Sequence, residues 1–130
     1  MVKLVLITHG NLGQALFETA KNICCIKGQD ILSFSVSGNV NLEEFENKIK
    51  TVCKEGETLI LVDTFGGTAC NIALKCSADN AKTLVICGLN LNMLLTASHN
   101  NEKLNLKELC DKVILDGKKA IFEATEIIRK

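Results

Sequence analysis

Four short apolar runs determine what this chain can fold into. They are rich in Val, Ile and Leu and occupy residues 3–7, 31–36, 58–62 and 83–87. Three of the four lack polar alternation, which is typical of strands that are buried on both faces of a parallel sheet. Segments with helical periodicity separate them. The sequence therefore predicts an α/β fold with an open, mainly parallel, doubly wound sheet and helices on both faces.

The helical segments carry their own start signals. Asn11 and Asn41 each precede an apolar stripe and are expected N-cap residues, and Glu44 lies where a capping box requires an acid. Two further helices follow strands by short loops. The four expected helices begin after Asn11, after Asn41, just after Gly67 (reaching about Ser77) and at Leu91 (reaching Ser98).

The C-terminal region contains one apolar stripe, at intervals of three or four residues, over 106–128. It predicts a single long amphipathic helix that opens at Asn105, with Glu108 at the N3 position. Gly117 lies within the stripe and marks either close packing or a kink. No repeat, low-complexity tract or proline linker interrupts the chain, which predicts one domain over residues 1–130.

Composition excludes several classes of function. Fifteen basic residues balance fifteen acidic ones, so the chain lacks the electrostatic footprint of a nucleic-acid or acidic-membrane binder. No stretch approaches the ~18 to 20 apolar residues of a membrane span, and the start lacks the layout of a signal peptide, so a cytoplasmic protein is expected. Seven cysteines without a Cys-x-x-Cys pair favour reduced core residues over a zinc site or a disulfide framework. No cofactor or metal is expected.

Two residues suited to catalysis lie at the ends of neighbouring predicted strands. His9 ends the first apolar run, and Asp63 follows the third. In a flavodoxin-like strand order 2-1-3-4, to which a short fifth antiparallel strand could be added, these ends meet at the switch point where open α/β sheets hold their sites. A carboxylate bonded to one imidazole nitrogen leaves the other free to attack or to accept a proton. The alternative is a capping or core histidine with a solvated aspartate.

The turn after Asp63 contains an anion-binding pattern. Gly66, Gly67 and Thr68 open the third predicted helix, where free N–H groups and a hydroxyl can bind phosphoryl oxygens. The strand-end loops contain no lysine, and the phosphate-binding loop of ATPases is absent, so a nucleotide would lack a cationic clamp. Such a weak hold suits a phosphoryl group that is handed on. Alternatively, the glycines only form a tight turn.

Three segments carry a family resemblance. They are Ile-Thr-His-Gly at 7–10, Leu-Val-Asp-Thr-Phe-Gly-Gly-Thr at 61–68 with Asn71, and Gly-Leu-Asn-Leu-Asn-Met-Leu at 88–94. Together they closely resemble the IIA component of the mannose/fructose/sorbose family of the bacterial sugar phosphotransferase system, and the match covers essentially the whole chain. The resemblance implies that His9 is phosphorylated on Nε2, that Asp63 hydrogen-bonds its Nδ1, and that Thr68 and nearby amides contact the phosphoryl oxygens.

The resemblance also implies the partners. HPr would donate the phosphoryl group, a IIB component on a separate chain would accept it, and the IIC and IID proteins of a membrane complex would be involved only indirectly. A homodimer that exchanges a short C-terminal strand is implied as well, although residues 126–130 leave little chain for one. We take Phe65, Asn90 and Met93, in or beside the strand-end loops, as candidate partner contacts.

Other interpretations of the same residues remain. A response-regulator receiver would use Asp63 as its phosphoacceptor, but the first strand lacks acidic residues for Mg²⁺. A flavodoxin would need aromatic cover, and the chain has no Trp or Tyr. Cys70 near the site suggests a Cys-His-Asp hydrolase, although seven scattered cysteines make one there unsurprising. The phosphotransferase subunit of dihydroxyacetone kinase and a regulatory dimer without a transport role are the remaining alternatives.

Overall fold

The computed structural model describes residues 1–24 and 31–129. It contains a sheet of four strands: β1 (Lys3–His9), β2 (Ile31–Val36), β3 (Thr58–Val62) and β4 (Thr83–Cys87). Every pairing is parallel and the order is β2-β1-β3-β4. The predicted fold class and strand order are therefore confirmed. Within the described residues this sheet has no fifth strand.

The two central strands are apolar because helices cover both of their faces. All five residues of β3 are buried, as are the five residues 4–8 of β1. The edge strand β2 is the run with polar alternation, and its inner residues are partly or fully exposed. The register pairs Ile7 with Val62, so β1 and β3 end side by side. This alignment brings the residues that follow the two strands together.

Of the six described helices, all but α6 form a layer on one or the other face of the sheet. They are α1 (Leu12–Cys24), α2 (Leu42–Lys54), α3 (Gly67–Ser77), α4 (Leu91–Asn100), α5 (Leu106–Lys119) and α6 (Thr125–Ile128). One apolar core joins α1, α4 and α5 to the sheet, and the other joins α2 and α3 to its opposite face. None of the described helices has the length and apolar character needed to cross a membrane.

Several helix starts are capped by side chains, in one case by a residue that the sequence pattern did not indicate. The side chain of Asn41 accepts hydrogen bonds from two N–H groups in the first turn of α2, as predicted. In α1 the N–H of Gly13 donates to the hydroxyl of Thr8 at 2.8 Å. A threonine inside β1 thus binds a free N–H near the helix start that the sequence pattern assigned to Asn11.

The start of α5 is a complete capping box. Asn105 accepts from the N–H of Glu108 at 2.9 Å, and the carboxylate of Glu108 accepts from the N–H of Asn105 at 3.2 Å. We expect Asn105→Ala to lower the free energy of unfolding by about 1 kcal/mol, because it leaves N–H groups of the first turn without an acceptor. Urea denaturation measures this loss. Asn105→Ser retains a side-chain oxygen and should keep most of the stability; equal losses in both variants would contradict the capping role.

The predicted long C-terminal helix is wrong beyond Lys119. There α5 ends, residues 120–124 form turns and irregular chain, and α6 is a single short helix. The apolar side chains of this tail find no surface on the described chain: Ile121 is 77% exposed and Ile128 is 81% exposed. Since packing of an apolar face supplies most of the stability of a protein helix, the stripe alone does not continue α5.

Gly117 marks close packing and not a kink, because α5 runs through it without a break. A Cβ at this position would lie 2.5 Å from Cγ of Met93. The carbonyl of Gly117 accepts a hydrogen bond from the side-chain amide of Asn90 at 3.3 Å. The absence of a side chain thus allows α5 to pack closely against the first turn of α4.

Candidate functional site

His9 and Asp63 meet at the carboxyl end of the sheet. The Nδ1 atom of His9 lies 3.0 Å from Oδ2 of Asp63, and the backbone N–H of His9 donates to the same oxygen at 3.0 Å. The other carboxylate oxygen accepts from the N–H of Thr64 at 3.1 Å. The carboxylate is therefore fixed by three contacts. Its side chain is only 11% exposed, whereas that of His9 is 49% exposed.

The charge of Asp63 determines which ring nitrogen of His9 carries the proton. Burial pushes the pKa of this carboxyl group upward, but hydrogen bonds from the N–H and the ring of His9 outweigh burial and hold the pKa below its usual value. Asp63 is therefore ionised at neutral pH and can only accept from Nδ1. The proton of a neutral ring accordingly lies on Nδ1, and the lone pair lies on Nε2.

The free nitrogen of His9 faces the glycine turn. A Cβ placed on Gly67 would lie 3.7 Å from Nε2 of His9. Both glycines have positive φ angles, +83° at Gly66 and +74° at Gly67, which explains why glycine is needed here. Gly66 is the N-cap of α3 and provides no side-chain cap. The first N–H groups of α3 are thus available to an anion in front of Nε2.

The other predicted site residues divide into two groups. Thr68 follows Gly67 in the first turn of α3 and is partly exposed, and Phe65 in the same loop is 81% exposed. Met93, in contrast, is only 4% exposed and packs against Gly117. Asn90 caps α4 by accepting from the N–H of Met93 at 2.9 Å. Of the three candidate partner contacts, only Phe65 presents a large exposed surface.

A groove between α2 and α3 borders the site. Its volume is about 410 Å³. The lining consists of Leu42, Glu43, Glu46, Thr68, Asn71, Ile72 and Lys75. The Nζ atom of Lys75 lies 3.8 Å from a carboxylate oxygen of Glu46, so the cation in this groove is partly neutralised. Thr68 therefore lines a groove that another protein can enter, one residue after the glycine turn that faces His9.

Sequence analysis missed one residue that supports the site. The hydroxyl of Ser35 on β2 donates to the carbonyl of Gly10, directly after His9. The N–H of Gly10 in turn donates to the carbonyl of Val36 at 3.4 Å. These contacts fix the backbone turn that follows the histidine. The serine lies in the alternating run of β2, but its partner is distant in sequence and no local pattern indicates it.

The hydrolase alternative would require a thiol beside His9. The sulfur of Cys70 instead contacts the sulfur of Cys87 at 3.5 Å. Cys70 is 1% exposed. The arrangement therefore lacks the contact between nucleophile and base on which a cysteine hydrolase depends.

The sequence of this chain is similar to that of a known protein family. Residues 3–114, which include all four strands, match the family model of the PTS system fructose IIA component. The chain belongs to this family. IIA components of sugar phosphotransferase systems are phosphotransferases as a class, and the resemblance seen in the sequence is confirmed.

Individual relatives agree with this assignment. The chain is 26% identical to the PTS system fructose-specific EIIA component of Bacillus subtilis, over 100% of this chain and 91% of that protein. The solved mannose/sorbose-specific IIA subunit from Enterococcus faecalis is 28% identical, with a TM-score of 0.82, over 94% of this chain and 93% of that chain. A phosphotransferase system component EIIA from Streptococcus agalactiae has the same fold, with 22% identity and a TM-score of 0.89 over 97% and 99% of the two chains.

Proposed function

We propose that this IIA component is a phosphocarrier of a sugar phosphotransferase system that accepts a phosphoryl group from phospho-HPr on His9 and passes it to a IIB component. The observation that carries the proposal is the orientation of His9: the carboxylate of Asp63, which is 11% exposed, holds Nδ1, and Nε2 faces the glycine turn at the start of α3. An exposed imidazole with a free, oriented lone pair is a nucleophile that another protein can reach.

The proposed reaction is an in-line transfer between two imidazoles. The Nε2 lone pair of His9 attacks the phosphorus carried by the donor histidine, and the P–N bond of the donor breaks as the new bond forms. The ring of His9 becomes positive during this step, and the adjacent carboxylate of Asp63 stabilises that charge. The hydroxyl of Thr68 and the N–H groups after Gly66 receive the phosphoryl oxygens. Every group in this scheme is supplied by protein, so no cofactor is assigned.

The same site would also release the phosphoryl group in the second transfer, from His9 to a IIB component. The site has no lysine or arginine in the strand-end loops to clamp the phosphoryl group, so the group is stabilised only by backbone dipoles and a hydroxyl. A IIB component would approach the same exposed Nε2. The protruding ring of Phe65 and the groove beside Thr68 are the surface that we assign to both partners. We place the exchange in the cytoplasm, within one phosphotransferase domain of residues 1–130.

The direct test supplies the proposed series of phosphoryl donors. Purified protein is incubated with phosphoenolpyruvate, enzyme I and HPr, and its intact mass is measured under alkaline conditions that preserve phosphohistidine. We expect the mass of one added phosphoryl group, dependent on HPr, and its loss when a IIB component is added. A folded wild-type protein that takes up no phosphoryl group from HPr would contradict the proposal and favour the dihydroxyacetone kinase system or a regulatory domain.

Substitution of Gly67 tests the phosphoryl position. We expect Gly67→Ala to slow phosphorylation about tenfold or more, because its methyl group would occupy the space in front of Nε2. The positive φ adds about 1 kcal/mol of backbone strain. Gly88→Ala is the matched control, since its φ is +92° but no atom lies within 4 Å of the added Cβ. Initial rates of phosphorylation compare the two variants, and equal rates would argue against the assigned phosphoryl position.

We also propose that the protein is a homodimer formed through its tail. Four large apolar side chains of the tail are exposed by 61 to 81%: Ile121, Phe122, Ile127 and Ile128. Such a concentration of exposed apolar surface is typical of an interface. Sedimentation equilibrium should show a dimer, and Phe122→Glu combined with Ile128→Glu should shift it to monomer. Leu74→Glu, at a 45% exposed leucine of α3, is the control. A monomeric wild type would exclude this interface.

A further inference from the structure

A pair of thiols lies behind the phosphoryl site. Cys70 is in the first turn of α3, and Cys87 is the last residue of β4. Their sulfur atoms are 3.5 Å apart, while Cys70 is 1% exposed and Cys87 is partly exposed. Both are free thiols. A disulfide has an S–S bond of about 2.05 Å, so closing the pair requires a movement of about 1.5 Å.

The pair bridges two segments that build the site. Cys70 lies three residues after Gly67, where an added Cβ would lie 3.7 Å from Nε2 of His9. Cys87 pairs with Val62, the residue before Asp63, and the following N–H of Gly88 donates to the carbonyl of Val62 at 2.9 Å. The backbone of Cys87 is held by the pairing of β4 with β3. Closing the gap between the sulfurs therefore draws Cys70, and with it the first turn of α3, toward β4.

We propose that Cys70 and Cys87 are an oxidation site: an intramolecular disulfide between them displaces the first turn of α3 from His9 and slows phosphoryl acceptance. The second half of this statement rests on the proposed function, whereas disulfide formation does not. A displacement of about 1 Å in an anion-binding turn is enough to cost one to two orders of magnitude in rate. Reduction would restore the original turn.

A peroxide is a sufficient oxidant. The sulfur of the more exposed Cys87 attacks one oxygen of hydrogen peroxide, the O–O bond breaks, and a sulfenic acid and water form. The sulfur of Cys70 then attacks the oxidised sulfur, the S–O bond breaks, and a second water leaves as the S–S bond forms. One peroxide is reduced and two thiols are oxidised. Burial and the contact with Cys70 raise the pKa of the Cys87 thiol to about 11, so oxidation should be slow at neutral pH.

Tryptic peptides distinguish this disulfide from every other pairing. Cleavage after lysine places Cys70 alone in peptide 55–75, Cys76 alone in 76–82, and Cys87 alone in 83–103. The full chain is treated with hydrogen peroxide at mildly alkaline pH, alkylated and digested without reductant. We expect a cross-linked product of peptides 55–75 and 83–103 that lacks two hydrogens and disappears on reduction. Its absence, while other cysteines oxidise, would overturn the proposal.

The functional half is tested by phosphorylation rates. The peroxide-treated protein should accept a phosphoryl group from HPr about tenfold more slowly than the reduced protein, and a thiol reductant should restore the rate. Cys87→Ala should retain its rate after the same treatment. An oxidised, cross-linked protein that reacts as fast as the reduced one would overturn the switch, as would equal slowing in Cys87→Ala. Failure of the reduced protein to react at all would instead count against the phosphocarrier function.

Discussion

His9→Ala is expected to take up no phosphoryl group from phospho-HPr while it folds as the wild type does. The variant lacks the nucleophilic nitrogen, and no other described side chain is held in front of the glycine turn. The ring of His9 is half exposed, so its loss removes little packing. Intact-mass analysis after incubation with phosphoenolpyruvate, enzyme I and HPr measures the uptake, and circular dichroism checks the fold.

The second histidine provides the matched control. His99 lies near the end of α4, and its ring contacts the sulfur of Cys24 at 3.3 Å, away from the strand ends. His99→Ala should therefore accept a phosphoryl group at the wild-type level. Phosphorylation that survives in His9→Ala, or that disappears in His99→Ala, would show that the reactive residue has been assigned to the wrong part of the molecule.

Asp63→Ala is expected to slow phosphorylation about a hundredfold without unfolding the protein. It removes the acceptor of both the ring and the backbone N–H of His9, so the imidazole loses its fixed tautomer and orientation. The carboxylate lies at the end of β3 and not within either core, so the domain should still unfold cooperatively. Stopped-time phosphorylation assays with limiting HPr measure the rate.

Asp63→Asn removes the negative charge of the side chain but keeps its size and shape. The amide keeps an oxygen that can accept from the backbone N–H, but it cannot stabilise the positive imidazole that forms during transfer. We expect a rate between those of the wild type and Asp63→Ala. The low pKa of Asp63 also predicts that its own protonation affects transfer only under acidic conditions, as the pH falls through that lowered value. Wild-type rates in both variants would remove Asp63 from the mechanism.

The sequence predicted the sheet and the central pair of the site for a single physical reason. Strands covered on both faces are apolar along their whole length, so a polar residue at the end of such a run stands out. His9 and Asp63 were found in this way, and the observed contact of 3.0 Å confirms that they meet. To place these two residues side by side, one also needs the strand order. The alternation of strands and helices limits the possible orders.

The errors arise where a residue's partner is far away in sequence or absent from the chain. The stripe over 106–128 has helical spacing throughout, yet only its first part finds a surface to pack on. Met93 follows a strand-end loop, as a contact residue would, but the missing side chain of Gly117 makes room for it in the core. The contacts of Ser35 with Gly10 and of Cys70 with Cys87 also join residues that are distant in sequence, so no local pattern indicates them.

The most direct test of the account is to identify which nitrogen of His9 is phosphorylated. Nitrogen-15 labelling of the histidines and long-range proton–nitrogen NMR on the phosphorylated protein distinguish the two ring positions. The structure places Nδ1 against Asp63 and Nε2 before the glycine turn, so we expect phosphorus on Nε2 of His9. Phosphorus on Nδ1 of His9, on His99 or on a cysteine would contradict the proposed geometry.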